Sequence, residues 1–167
     1  MDKKFEFDEP GLLLTHVMGV PGKRTFFLIM GERERWLRVW IEKYLLEALA
    51  LAIEEFEFRL SKERPSPRRG GVKEPASESA PSKMPAAELE VDQISLDFDD
   101  GKAALNLLVH SVGPQRTDGI ELICRVSLAQ LKLFAAQAQA VCAAGRPRCS
   151  LCGGPIDPSG HTCPSIN

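Results

Sequence analysis

The chain has 167 residues, of which 44% are hydrophobic and 26% charged, and its formal net charge is −2 at pH 7. These values are typical of a soluble globular protein and argue against a generally basic nucleic-acid-binding protein. The N-terminal MDKKFEFDEPG has no apolar signal segment, and the longest apolar helical stretch, LLEALALAIEEF, is too short to span a bilayer, so we expect a cytoplasmic protein without membrane contact.

The first half of the chain has the pattern of three strands followed by a helix. Apolar, partly β-branched residues at 12–20 and 24–30 predict two strands separated by VPGK, which suits a tight turn. Strict alternation in 36–42 predicts a third strand, and the period then becomes helical over 43–60. The apolar stripe of this helix consists of Leu46, Leu49, Ile53 and Phe56.

The second half repeats this order. Strands are predicted at 88–98, 103–111 and 120–126, with DDGK as a hairpin turn and a change of apolar parity that indicates a bulge near Asp92 and Gln93. A helix then begins at Ser127, which forms a capping-box pattern with Gln130. The predicted buried stripe of this helix consists of Leu128, Leu131, Ala135, Ala138 and Cys142.

We therefore predict an α+β protein built from two copies of a β-β-β-α unit. The copies would form one antiparallel sheet of about six strands, with two helices on one face and a small zinc-binding tail. The predicted regions are the first β-β-β-α half at 1–61, a flexible Pro/Ser/Gly linker at 62–87, the second β-β-β-α half at 88–145 and the zinc-binding tail at 146–167. The alternative is that the likeness of the halves is coincidental, since meanders followed by helices are common.

The C-terminal stretch CSLCGGPIDPSGHTC carries the strongest chemical signal. Clustered cysteines in a reducing compartment indicate metal or redox chemistry rather than disulfides. Cys149 and Cys152 have C-x-x-C spacing, and His161 and Cys163 follow after a Gly/Pro-rich turn. Three thiolates and one imidazole form a closed set that suits structural Zn²⁺. The alternatives are a redox or regulatory thiol pair and a tail with incidental cysteines.

Two further groups of residues are candidate partner contacts. Trp36, Arg38 and Trp40 alternate outward on the third predicted strand, where exposed aromatics next to arginine favour protein or nucleic-acid contact. If the second face of the sheet is covered, these side chains belong to the core instead. Arg146 and Arg148 precede the cysteines and are expected to favour ionised thiols.

The tail motif CSLCGGPIDPSGHTCP resembles the closing motif of an uncharacterised bacterial protein family found mostly in actinobacteria and their relatives. VMGVPGKRTFFL, WIEK and AAGRPRC also resemble segments of that family. The resemblance implies an unestablished function, and family members are often encoded beside a histidine-phosphatase-like protein. Members usually continue after the final Cys-Pro with an arginine and a short Asn-Gly-Tyr ending, whereas this chain ends Ser165-Ile166-Asn167.

The first functional hypothesis is a non-enzymatic binding or adaptor protein that contacts another protein. It rests on a complete metal set in a chain where no Ser or Cys nucleophile is evident near His16 or His110. The alternative is a nucleic-acid-binding protein that uses the zinc tail and its arginines. A third hypothesis, an accessory subunit or enzyme acting with the histidine-phosphatase-like neighbour, depends on the family resemblance only.

Overall fold

The structure, a computed structural model, describes residues 3–63, 81, 83–99, 104–112 and 119–166. Most of the predicted linker at 62–87, the centre of the DDGK turn and the loop after the fifth predicted strand lie outside the described residues.

Within these residues the chain forms seven strands and two helices, which confirms the α+β class. The strands are β1 (Lys3–Asp8), β2 (Leu12–Val20), β3 (Lys23–Glu32), β4 (Arg35–Ile41), β5 (Ala87–Asp99), β6 (Ala104–Val112) and β7 (Gly119–Val126), and the helices are α1 (Lys43–Glu63) and α2 (Leu128–Ala143). All but β1 were predicted. In the part of the chain that the structure describes, no helix is both long and apolar enough to cross a membrane.

The strands form one sheet with the order β1-β7-β6-β5-β4-β3-β2. It is mixed, whereas the prediction was an antiparallel sheet of about six strands, because β1 pairs with β7 and β4 pairs with β5 in parallel. The β4–β5 pairing follows from chain connectivity, since parallel neighbours require a crossover and α1 lies between these two strands. The predicted bulge in β5 is confirmed as a register shift between Val91 and Gln93.

Both helices pack on the same face of the sheet, as predicted. Their buried residues form one hydrophobic cluster with inward-facing residues of β3 to β7, and partly buried residues of β1 and β2 pack against it. The buried residues of the two helices in this cluster are Leu46, Leu49, Ala50, Ile53, Leu131, Phe134, Ala135, Ala138 and Cys142. The helical stripes predicted from periodicity are therefore the faces that position the two helices.

The sheet is rolled, because its two edge strands are consecutive in the chain. A flat sheet of seven strands would separate β1 from β2 by roughly 29 Å. Only residues 9–11 connect them, and a connection of that length reaches about 14 Å at most. Consistent with rolling, the Arg35 guanidinium at the start of β4 lies 5.7 Å from the ring centroid of Phe5 on β1.

Helix α2 closes the gap between the two edges. The Gln130 side chain donates to the Pro10 carbonyl oxygen over 2.8 Å, and the Thr15 N–H on edge strand β2 donates to the Gln137 side-chain oxygen over 3.0 Å. The Ser127–Gln130 capping box is present and fixes the start of the helix. An edge strand exposes unpaired backbone groups, and here one of them is satisfied by the helix that also fills the core.

The outward face of β2 to β4 carries a second, smaller cluster. Trp36 is 1% exposed and packs with Leu12, Leu14 and Ile29, and its indole N–H donates to the Lys83 carbonyl oxygen over 3.2 Å. Trp40, on the same strand and face, is 48% exposed. Trp36 is therefore part of a covered core rather than an exposed contact, which was the second of the two interpretations of this strand.

The two tryptophans provide a matched test of this difference. We expect Trp36→Ala to lower the free energy of unfolding by about 3–5 kcal/mol, because it leaves a cavity in the smaller cluster that Trp36 forms with Leu12, Leu14 and Ile29. Trp40→Ala should lower it by about 1 kcal/mol, because half of that side chain already contacts solvent. Denaturant titration followed by circular dichroism measures both changes, and equal losses would contradict the assignment of Trp36 to a buried cluster.

Candidate metal centre

After α2 the chain is organised by short turns. Cys149 donates its N–H to the Gly154 carbonyl oxygen over 2.8 Å, and its own carbonyl accepts from the Gly153 N–H over 2.9 Å. Gly153 has φ +71°, a backbone conformation that favours glycine. A second turn follows, in which the Gly160 N–H donates to the Asp157 carbonyl oxygen. These two turns place the C-x-x-C pair opposite the residues that follow Gly160.

The four predicted metal ligands converge at this point. One donor atom from each of Cys149, Cys152, His161 and Cys163 lies within 4.8 Å of all the others. The Sγ atoms of Cys149 and Cys163 are 3.8 Å apart, and Cys152 Sγ lies 3.1 Å from His161 Nε2. Cys163 is buried and the other three are half-buried. The geometry therefore supplies three sulfur donors and one nitrogen donor that can hold a metal ion.

Backbone N–H groups lower the pKa of one of these thiols. The N–H groups of Cys152 and Leu151 lower the pKa of the Cys149 thiol to about 6. For Cys152 the Gly154 N–H, 3.4 Å from its Sγ, has the same effect, but desolvation and the neighbouring thiols outweigh it and raise the pKa. The protein therefore presents one thiol that ionises readily and a second whose proton a metal ion would displace.

Arg146 and Arg148 form hydrogen bonds within the tail. Arg146 donates to Asp157 Oδ1 over 2.8 Å, and Arg148 donates to the Gly153 carbonyl oxygen over 3.3 Å. The lowered pKa of Cys149 comes from backbone N–H groups, so the expectation that these arginines favour the ionised thiols is not needed to explain it. The guanidiniums brace the two turns that carry the donors.

The other two cysteines belong to the core. Cys124 on β7 and Cys142 on α2 are buried. Burial raises the pKa of the Cys124 thiol to about 12 and also raises that of Cys142. Both thiols are therefore neutral at physiological pH and act as small apolar side chains.

The residues predicted as contacts on β4 differ in accessibility. Trp36 is buried, and Arg38 forms an ion pair with Glu88 over 2.8 Å while its guanidinium also lies 5.7 Å from the ring centroid of Phe27. Trp40 packs edge-on against Phe27 at a centroid distance of 5.5 Å. Of these three predicted contacts, Trp40 is the one whose side chain is exposed.

Comparison with known proteins points to one family. The model of a family described as a protein of unknown function (DUF3090) matches residues 5–163, a range that contains both helices and all four candidate metal donors. This match confirms the resemblance to an uncharacterised family. No curated protein and no solved structure matches the chain.

Metal affinity should depend on pH in a defined direction. Each proton displaced by the metal makes the apparent dissociation constant rise tenfold per unit decrease in pH. At least the Cys152 proton is displaced at neutral pH, since the pKa of this thiol is raised. Below about pH 6 the Cys149 thiol also becomes protonated, so the dependence should steepen there. Competition with a chromogenic chelator between pH 5.5 and 8 measures the slope, and a flat profile would contradict thiolate ligation.

Proposed function

The chain belongs to the family of proteins of unknown function DUF3090, and we propose that it is a zinc-binding, non-enzymatic binding protein whose partner is another protein. In this proposal metal binding stabilises the folded C-terminal tail next to the α+β body. The observation that carries the proposal is the convergence of three thiol sulfurs and one imidazole nitrogen.

The donor set favours zinc over other metals. Soft thiolates combined with imidazole in a four-donor set suit tetrahedral Zn²⁺. With Zn–S bonds of about 2.3 Å, two sulfurs of a tetrahedral site lie about 3.8 Å apart, and the Cys149–Cys163 separation is 3.8 Å. The Cys152–His161 separation of 3.1 Å is shorter and would lengthen slightly around the ion. The residues present therefore fit zinc.

A structural role fits this set better than a catalytic one. Catalytic zinc sites use three protein ligands and leave a position for water or substrate, whereas four protein ligands close the coordination sphere. The small amount of buried apolar surface in the tail also favours a structural role for the ion. Of the tail residues between Arg146 and Ile166, Cys163 is the buried hydrophobic one, so burial alone supplies little folding energy and metal binding can supply it.

Two exposed apolar side chains support recognition of a protein partner. Leu151 lies between the two cysteines of the C-x-x-C turn and is 63% exposed, and Trp40 on β4 is 48% exposed. Tryptophan is enriched among the residues that dominate binding energy at protein interfaces. A metal-fixed turn that presents a leucine loses little side-chain and loop entropy on binding, because the backbone is already ordered.

The zinc proposal predicts the behaviour of Cys149→Ser. We expect about one zinc ion per chain in the wild type and an affinity at least about 100-fold lower in the variant, because a thiolate ligand is lost. The body at 1–145 should keep its far-UV circular dichroism spectrum and its thermal midpoint, since the metal energy belongs to the tail. Ser150→Ala, an exposed neighbour, is the control. Loss of the whole fold would show instead that the body depends on the tail.

The partner proposal is tested by affinity capture from native lysate, with bound protein and nucleic acid both identified. We expect one protein that is captured by the wild type and Ser150→Ala but lost with Cys149→Ser. Leu151→Ser should also lose it while retaining zinc, because that change removes the contact and leaves the four donors intact. Recovery of nucleic acid with a steep salt dependence would contradict this proposal and favour nucleic-acid binding. Zinc-independent turnover of phosphate or ester substrates would favour an enzyme.

A further inference from the structure

A second site lies where the tail meets the body. A pocket of about 270 Å³ opens between the β2–β3 turn, the start of α1, the end of α2 and the tail. Its lining consists of Gly22, Arg24, Phe26, Lys43, Gly145, Arg146, Arg148 and Pro155. These residues come from four separate segments of the sequence, so the pocket is a product of the fold and not of one basic stretch.

The charge of this lining is unusual for a chain with a formal net charge of −2. Among the lining residues are four cations and no carboxylate. Two carboxylates approach from outside: Asp157 is 2.8 Å from Arg146, and Glu47 is 3.5 Å from Lys43. Both pairs are partly exposed, and with both counted as neutral the lining still carries two further cations. The pocket therefore keeps a surplus of positive charge.

Glycine allows two of these cations to crowd together. A Cβ atom added to Gly145 would lie 2.8 Å from Arg24 Nη2 and 3.5 Å from Lys43 Nζ. The guanidinium and the ammonium group therefore converge over a position that has no side chain. The Cys142 carbonyl oxygen lies 3.4 Å from the same point and offsets part of the repulsion between the two cations. An anion bound between them would offset more of it. Charge-assisted hydrogen bonds from arginine and lysine are the usual means of binding phosphate.

Support of helix ends accounts for only part of this arrangement. Arg24 Nη1 donates to the Val141 carbonyl oxygen over 2.9 Å, which stabilises the C-terminal end of α2. Lys43, in contrast, lies at the N-terminal end of its helix, where a positive charge is unfavourable. It is the first residue of α1, and the first turn of α1 contains no acidic residue. A cation at the positive end of a helix dipole is unfavourable, and the partly exposed ion pair with Glu47 at 3.5 Å offsets this only in part.

We propose that this pocket binds a phosphate dianion, either free or as the terminal group of a small phosphomonoester. The volume is slightly below the 300–1,000 Å³ or so typical of drug-sized ligands, so it suits one phosphate group with a small substituent. Arg24 and Lys43 come from the body, and Arg148 and Pro155 come from the tail. The site is completed when the tail is folded, and in that respect the inference rests on the proposed zinc function.

The test uses the full chain, with its zinc content measured first, and inorganic phosphate as the probe. Phosphate is titrated against chloride at constant ionic strength, with binding followed by ³¹P NMR and calorimetry. We expect saturable binding with a dissociation constant of about 1 mM or tighter. Lys43→Gln and Arg24→Gln should each weaken it at least tenfold. Lys62→Gln, which removes the same charge near the other end of α1, should leave it unchanged.

Two further ligands define the source of the phosphate group. Methyl phosphate, a monoester, should bind as well as or better than inorganic phosphate if the natural ligand is an ester, and more weakly if it is the free ion. Dimethyl phosphate carries a single charge like a nucleic-acid backbone, and we expect at least tenfold weaker binding. Equal binding of dimethyl phosphate would overturn the assignment to a dianion.

The remaining outcomes separate this inference from the zinc proposal. Zinc-loaded protein that shows no saturable phosphate binding up to 20 mM, or equal binding by Lys43→Gln, would overturn the pocket while leaving the metal site intact. Protein that contains no zinc but binds phosphate would overturn the metal proposal alone. Removal of zinc should weaken phosphate binding at least fivefold, and an unchanged affinity would show that the tail does not complete the site. Circular dichroism confirms that each variant is folded.

Discussion

The architecture depends on one covalent constraint, which is the short connection between the two edge strands. Residues 9–11 join β1 to β2 although these strands lie at opposite ends of the sheet order. The sheet must roll to allow this, and rolling brings all seven strands of the described chain around one set of apolar side chains. The gap that remains is filled by α2, whose glutamines bond to Pro10 and Thr15. Core, edge protection and helix placement therefore have a common cause.

Local patterns in the sequence were sufficient for six strands and both helices, because periodicity and turn residues act over a few positions. Features that depend on residues distant in the sequence could not be predicted from these local patterns. The strand β1 has a short alternating signal, Phe5 and Phe7 between charged residues, but its pairing with β7 comes from the far end of the chain. The parallel pairing of β4 with β5 likewise depends on where α1 returns the chain. Trp36 alternates outward as expected, and only tertiary packing with Leu12 and Leu14 buries it.

The same distinction separates the two sites. The candidate metal donors are predictable because all four lie within fifteen residues and their spacing is itself the geometric requirement. The source of the lowered pKa of Cys149 was not predictable, because it lies in backbone N–H groups oriented by the turn. The basic pocket had only a partial signal in the sequence, because Arg146 and Arg148 stand out beside the cysteines whereas Arg24 and Lys43 do not. Arg24 and Lys43 are distant from the tail in the sequence, and only the fold brings them to the same opening as Arg148.

The tail would connect the two proposed sites energetically. The stretch from Cys149 to Cys163 contains the metal donors, and Arg148 and Pro155, which line the pocket, lie beside and within it. If zinc orders this segment, the ordering cost of the pocket is met by metal binding, and the anion meets a preformed site. Linkage requires the reverse as well: an anion that favours the ordered tail must strengthen zinc binding by the same factor. The metal would then have more than a structural role, because the occupancy of the metal site and the occupancy of the pocket would each depend on the other.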